Sequence, residues 1–182
     1  MELYLIRHAQ AAERGARYPD DTERPLVPKG AAQAALLAEA LERQGTRFTR
    51  LTSSPWLRAR QTAEPLKPLA GDELVLLDAL AQGDPTETVT AFEALLAESR
   101  SAVPKARDAD SAGRSSGPCI AAVGHEPWMS MLASWLLCGR AHAMAVTFRK
   151  AAVMTLEGEL RGGAMALTGF VPMRVVKALR DG

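Results

Sequence analysis

Two histidines and two arginines stand where phosphoryl chemistry could use them. Arg7 and His8 follow directly on the apolar run Leu3-Tyr4-Leu5-Ile6. A continuous run of that kind reads as a strand, Glu2 to Ile6, buried inside a parallel sheet. In open α/β sheets ligands bind at the carboxyl edge of the strands, where this pair falls. A guanidinium forks onto phosphate oxygens, and an imidazole can attack phosphorus. The competing reading is a loop-capping histidine beside a solvated arginine. His125 has the same setting, because Cys119-Ile120-Ala121-Ala122-Val123 is a second buried strand and ends in Gly124-His125-Glu126-Pro127. Two strand-end histidines argue for a site more strongly than either does alone.

The third contribution comes from Ser54-Pro55. Serine at an N-cap followed by proline in the first helical position marks a helix start. That helix continues through Trp56 to Ala63 and breaks near Pro65 and Pro68. Arg58 then lies in the first turn, beside free backbone N–H groups that favour anions. Arg60 reads as part of a solvated face.

The remaining segments supply a scaffold that could bring these residues together. Ala31 to Gln44 is rich in helix formers, with Leu36, Leu37, Ala40 and Leu41 on one face and Gly45 placed for a left-handed cap. Phe48 to Thr52 and Leu74 to Leu77 read as short strands. Thr86 to Glu98 reads as a helix with Val89, Phe92, Leu95 and Leu96 as its apolar stripe. Trp128, Met131, Leu132, Trp135 and Leu136 recur at helical spacing after His125. Val146 to Phe148 with Ala152 to Leu156, then Met165 to Phe170, read as edge strands, and a basic helix from Val171-Pro172 through Arg180 ends the chain. Ser99 to Pro118, rich in serine, glycine and charge, reads as a mobile surface loop. Strands alternating with helices predict an α/β fold with a mostly parallel sheet, and 182 residues fit one domain, 1–182.

Composition narrows the function classes. A net charge of +1 argues against general nucleic-acid binding. No apolar run approaches the roughly 20 residues that span a bilayer, so no membrane association is expected. The amino-terminal residues lack signal-peptide features. Cys119 and Cys138 read as two small buried thiols, and these features together point to a cytoplasmic location. His142 lacks a strand-end setting and reads as surface.

Arg7-His8-Ala9, Ser54-Pro55-x-x-Arg58-Ala59-x-Gln61-Thr62 and Gly124-His125-Glu126-Pro127 together resemble the histidine phosphatase superfamily. Ala9 stands where the family usually has glycine. The small size, Arg24-Pro25-Leu26 and Gly83-Asp84 are similar to the phosphohistidine phosphatases of the SixA type. The resemblance implies a three-layer α/β/α sandwich of the phosphoglycerate mutase-like kind. It implies His8 as the nucleophile of a covalent phosphohistidine intermediate, with Arg7, Arg58 and His125 around the phosphoryl oxygens and Ser54 among the substrate-binding residues. It implies neither metal nor other cofactor. A phosphate or sulfate should fit the pocket. His8 must attack as neutral imidazole, and flanking arginines disfavour its protonation.

One departure bears on substrate. Larger branches of the superfamily carry a general-acid glutamate in a Leu-x-Glu context after the third strand, where this chain has Leu77-Asp78-Ala79. An alkoxide departs poorly without a proton donor, whereas an imidazole protonated on its far nitrogen leaves as a neutral molecule. The absent acid favours phosphohistidine, on a protein such as a phosphotransfer domain. Asp78, Asp84 and Glu126 are the candidate substitutes for the donor. A phosphatase or mutase of small phosphate esters, and a non-catalytic phosphate-binding module, stay open as alternatives.

Overall fold

The computed structural model describes residues 1–101 and 117–181. Six strands form one sheet in the order β3-β2-β4-β1-β5-β6. They are β1 (Glu2–Arg7), β2 (Arg50–Ser53), β3 (Val75–Leu76), β4 (Cys119–Gly124), β5 (Val153–Gly158) and β6 (Met165–Val171). β1 pairs parallel with β4, and β2 pairs parallel with both β4 and β3. β5 and β6 add an antiparallel edge on the far side of β1.

The strand sequences show why this sheet is covered on both sides. In β1, Tyr4 and Ile6 enter one core cluster while Leu3 and Leu5 enter the other. In β4, Cys119, Ala121 and Val123 face the first cluster, and Ile120 and Ala122 face the second. A strand apolar at every position has no face for water, so each face must be roofed by helices. Helices α1 (Pro28–Arg43), α2 (Leu57–Ala63) and α6 (Met173–Asp181) cover the first face. Helices α3 (Ala79–Gln82), α4 (Pro85–Ser101) and α5 (Trp128–Cys138) cover the second. The result is the expected three-layer α/β/α sandwich with a mostly parallel sheet.

Several local expectations are corrected. Arg50–Ser53 replaces Phe48–Thr52 as the second strand, because Phe48 makes only an isolated bridge to Ala70. α2 starts at Leu57, with Trp56 rather than Ser54 at the N-cap, and a 3₁₀ turn over Glu64–Leu69 follows it. Ser54 still accepts the Trp56 backbone N–H through Oγ at 3.2 Å, so its turn chemistry is used one step before the helix. Residues 146–148 lie outside the sheet. On α5 the buried line is Met129, Leu132, Ala133 and Leu136, so the core-facing side is rotated relative to the sequence pattern and Trp128, Met131 and Trp135 are half-buried. Cys119 is buried but Cys138 is exposed, which corrects the pairing of two buried thiols. α4 runs on to Ser101, so the start of the expected 99–118 loop is helical, and residues 102–116 of that loop lie outside the described residues. His142 is exposed, as expected.

Two glycines are required by geometry. Gly45 adopts φ 68° just past the end of α1, the left-handed conformation that closes a helix. Gly30 sits in the first turn of α1, where an added Cβ would meet the Gln10 carbonyl oxygen at 1.9 Å. Its absent side chain lets α1 press against the chain just beyond His8. Among the described residues, no helix is long and apolar enough to cross a membrane.

Candidate active site

Three adjacent parallel strands, β2, β4 and β1, end side by side, and each delivers one polar group at its exit. These are Ser54, His125 and His8. The exits are stitched together by backbone bonds, His8 N–H to the Gly124 carbonyl at 3.0 Å and Ser54 N–H to the Val123 carbonyl at 2.9 Å. Arg58 joins them from the first turn of α2. His8, His125 and Arg58 are 3%, 2% and 3% exposed, so three ionisable groups share a site nearly closed to water.

His8 is held in one tautomer. Its Nδ1 lies 2.7 Å from the Ala9 carbonyl oxygen, which can only accept, so Nδ1 carries the proton and Nε2 keeps its lone pair. Ala9 itself is buried, and its N–H donates to Thr62 Oγ1 at 3.0 Å, while Thr62 Oγ1 donates to the Arg58 carbonyl at 2.7 Å. This chain of bonds ties the His8 turn to the helix that carries Arg58. The Ala9 backbone does not visit positive φ, so an alanine at this turn carries no conformational cost.

Around Nε2 the charge is positive. Arg58 Nε lies 3.3 Å from it and Lys150 Nζ lies 3.1 Å from it. The His125 ring is centred 4.9 Å from the His8 ring. Burial pushes the His8 imidazole far below its ordinary value, and Lys150 and His125 add to the effect ahead of Arg58. Of the two flanking arginines expected to disfavour protonation of His8, Arg58 does so, behind larger contributions that the sequence did not reveal. Burial leads, Lys150 follows and Arg58 adds least.

His125 is lowered to about 3, mainly by burial and then by Arg58 and Lys150. It is neutral at ordinary pH and bears one N–H. Its Nε2 lies 2.8 Å from Ser54 Oγ, and its Nδ1 is buried without a partner. With the Ser54 hydroxyl donating to Nε2, Nδ1–H is a free buried donor. Trp56 packs on His125 at 4.5 Å and beneath the Arg58 guanidinium, also at 4.5 Å, an aromatic wall that fixes both.

The two arginines are anchored from behind. Arg7 donates through one terminal nitrogen to the Phe148 carbonyl at 2.5 Å, and its Nε is buried without a partner. Arg58 donates to the Asp21 carbonyl at 2.5 Å and to Asp21 Oδ2 at 2.9 Å. Asp21 is also bonded to Arg24 at 2.7 Å. Burial pushes the Asp21 carboxyl up, and its contacts with Arg24 and Arg58 more than offset that, so it sits below its ordinary value. Arg60 is exposed.

The three candidate proton donors are placed differently. Asp84 is exposed and caps α4, accepting the Thr86 and Glu87 backbone N–H groups at 2.7 and 2.9 Å. The Thr86 hydrogen bonds hold its carboxyl below the ordinary carboxylate value. Glu126 accepts from the Ser130 hydroxyl and from the Phe148 N–H at 2.7 Å, bracing the segment that Arg7 grips. Asp78 is exposed just before α3. Among the described residues, no cluster of His, Cys, Asp and Glu is arranged to hold a metal ion.

Sequence reasoning missed Lys150 and Asp21. Neither belongs to a motif: Asp21 opens a short 3₁₀ turn over Asp21–Glu23 that covers the site, and Lys150 reaches it from the turn before β5, far along the chain. The only sequence signal was Arg24-Pro25-Leu26, which marks the segment that carries Asp21.

Comparison with known proteins agrees with this geometry. Residues 3–89 match the model of the histidine phosphatase superfamily (branch 1). The fold is that of the histidine phosphatases. A structure of the protein histidine phosphatase SixA complexed with tungstate superposes with a TM-score of 0.74 over 97% of this chain and 99% of that one, at 22% identity. In sequence, the chain is 38% identical over 64 residues to the phosphohistidine phosphatase SixA of Escherichia coli, covering 35% of this chain and 38% of that protein. It is 50% identical over 66 residues to an uncharacterized protein of Picosynechococcus, covering 36% of this chain and 39% of that one. The matched region thus spans well under half the length of either curated relative.

Proposed function

We propose that this protein is a phosphatase acting on phosphohistidine, carried by a protein such as a phosphotransfer domain, through a covalent phosphohistidine on His8. The observation that carries the proposal is the state of His8. Its Nδ1–H is committed to the Ala9 carbonyl, and its Nε2 lone pair faces a ring of cationic and N–H donors. That one hydrogen bond serves both half-reactions. It directs the lone pair to Nε2 for attack on phosphorus, as the phosphorus–nitrogen bond of the substrate breaks and the electron pair leaves with the substrate imidazole. In the phosphoenzyme, Nδ1 still carries its proton. When water attacks phosphorus, the electron pair returns to Nε2 and neutral imidazole departs without further protonation. Water's oxygen and both of its protons end in inorganic phosphate, released as the dihydrogen anion.

Arg58, the Arg7 Nε and the His125 Nδ1–H are donors for the phosphoryl oxygens, and charge-assisted bonds of this kind stabilise the transition state. Ser54 acts through His125 by fixing its tautomer. The choice of phosphohistidine over esters rests on the leaving group. Ala79 stands where other branches of the family carry an acid, Asp84 and Glu126 are engaged as a helix cap and a loop brace, and Asp78 is exposed. A substrate imidazole protonated on its far nitrogen leaves unaided, and an alkoxide does not.

A leaving-group series tests this reading. Phosphohistidine and activated aryl phosphates should turn over, with glycerol and sugar phosphates slower by at least about 100-fold, the lower range of general-acid assistance. Alkyl phosphates cleaved as fast as phosphohistidine, with that activity lost in Asp84→Asn or Glu126→Gln, would transfer the site to the ester phosphatases.

A further inference from the structure

Lys150 is the cation that the family motifs do not account for. It lies in the segment between α5 and β5, 142 residues from His8, yet its Nζ comes within 3.1 Å of Nε2. The backbone beside it is unusual. Ala151 adopts φ 56°, the only positive φ of a non-glycine residue among the described residues. A left-handed alanine is strained. The conformation is held because the Ala151 N–H reaches the carbonyls of both Arg7 and His8, at 3.1 and 3.3 Å. The strained turn is thus bonded to the nucleophile's own backbone, and it presents Lys150 to the nucleophile's side chain.

Nε2 has one lone pair and two donors aimed at it, Arg58 Nε–H and the Lys150 ammonium. A single lone pair cannot satisfy both in line. Two cationic donors crowding one acceptor is the arrangement expected when a larger acceptor, with several oxygens, belongs between them. An ammonium on the nucleophile's side of phosphorus cannot protonate a leaving group, which departs from the opposite side of an in-line displacement. It can bond an equatorial phosphoryl oxygen.

We propose that Lys150 is a fourth ligand of the phosphoryl group, donating to an equatorial oxygen in the substrate complex and in the phosphoenzyme, and that its loss of a proton sets the alkaline limit of anion binding. The proposal rests on the phosphoryl-transfer reading of the site. The charged and titratable groups facing Lys150 are Arg7 and His8 at the end of β1, Asp21 and Arg24 in the covering loop, Arg58 on α2 and His125 after β4. Burial and then Arg7 and Arg58 lower Lys150 to about 8, with Asp21 opposing. The two histidines titrate far below that value, and guanidinium groups as a class stay charged in proteins, so Lys150 is the group among these that changes charge in the mildly alkaline range.

Tungstate binding, followed by calorimetry between pH 7 and 9.5, separates this proposal from the reading beneath it, because the tungstate charge is constant over that range. Wild-type affinity should fall by about tenfold per pH unit above about 8. Lys150→Met should bind roughly 10- to 100-fold more weakly at pH 7, the weight of one charge-assisted hydrogen bond, and should lose the alkaline fall. Lys150→Arg should keep the affinity and also lose the fall, since guanidinium stays charged. Far-ultraviolet circular dichroism identifies any variant that is not folded, and Lys150→Arg carries the test if Lys150→Met is not. Equal affinity and an equal pH profile in wild type and variants would overturn the role of Lys150 and leave the anion site standing. Absence of tungstate binding in the wild type would overturn the anion site and this proposal with it.

Discussion

Asp21 holds Arg58 twice, through its carboxylate at 2.9 Å and through its backbone carbonyl at 2.5 Å. Two bonds on the terminal nitrogens leave Nε directed at His8, so the guanidinium is oriented before any substrate arrives. Pre-orientation of this kind matters most in the transition state. Asp21→Asn keeps the shape and the carbonyl contact but removes the ion pair. It should lower kcat by about 10- to 100-fold with KM unchanged or lower, because the pocket becomes more positive as Arg58 becomes less well aimed. A raised KM with unchanged kcat would mean that Asp21 shapes the entrance instead.

The two arginines of α2 should separate cleanly. Arg58→Ala removes a buried donor beside Nε2 and should cost about 2.7–4 kcal/mol of transition-state stabilisation, a loss of roughly 10²- to 10³-fold in kcat. Arg60→Ala alters an exposed side chain and should change activity little. Parallel measurement of kcat/KM for both variants checks this, and equal losses would place the wrong face of the helix at the phosphate.

Acid should unfold the protein through its histidines. In the unfolded chain an imidazole takes up a proton near pH 6.5, whereas folded His125 does so only at about 3. Between those values the unfolded chain binds more protons. The stability contributed by neutral His125 is therefore complete above pH 6.5 and is lost as pH falls toward 3, by about 1.4 kcal/mol per pH unit. His8 is held neutral by burial as well and adds a like amount, so urea unfolding at pH 7, 6 and 5 should show about twice that slope below pH 6.5, reduced by about 1.4 kcal/mol per pH unit in His125→Gln. The same slope in both proteins would place the acid lability elsewhere.

The fold was legible where burial alone decides it. β1 and β4 are apolar at nearly every position, so their place in the middle of the sheet, and the histidines at their ends, could be read directly. Helix formers and apolar spacing mark α1, α4 and α5, and a cap signature marks α2, but the short α3 over Ala79–Gln82 carries no such signal, and on α5 the half-buried Trp128, Met131 and Trp135 stood in for a core face that is centred on Met129 and Ala133. The strand expected at 146–148 failed because the segment is used to hold Arg7 through the Phe148 carbonyl and to approach the strained turn at Ala151. Lys150 and Asp21 were out of reach for a related reason. Their placement depends on loop backbone geometry and contacts made across the fold, which local residue patterns do not encode.

The proposed mechanism turns on covalent phosphorylation of His8 at Nε2. Rapid mixing with radiolabelled phosphohistidine substrate, quenching into alkali and mapping of the label tests it most directly. An alkali-stable, acid-labile label should appear on His8 in the wild type, and a folded His8→Ala protein should show neither label nor turnover. Substantial turnover by folded His8→Ala, or a label on any other residue, would contradict it.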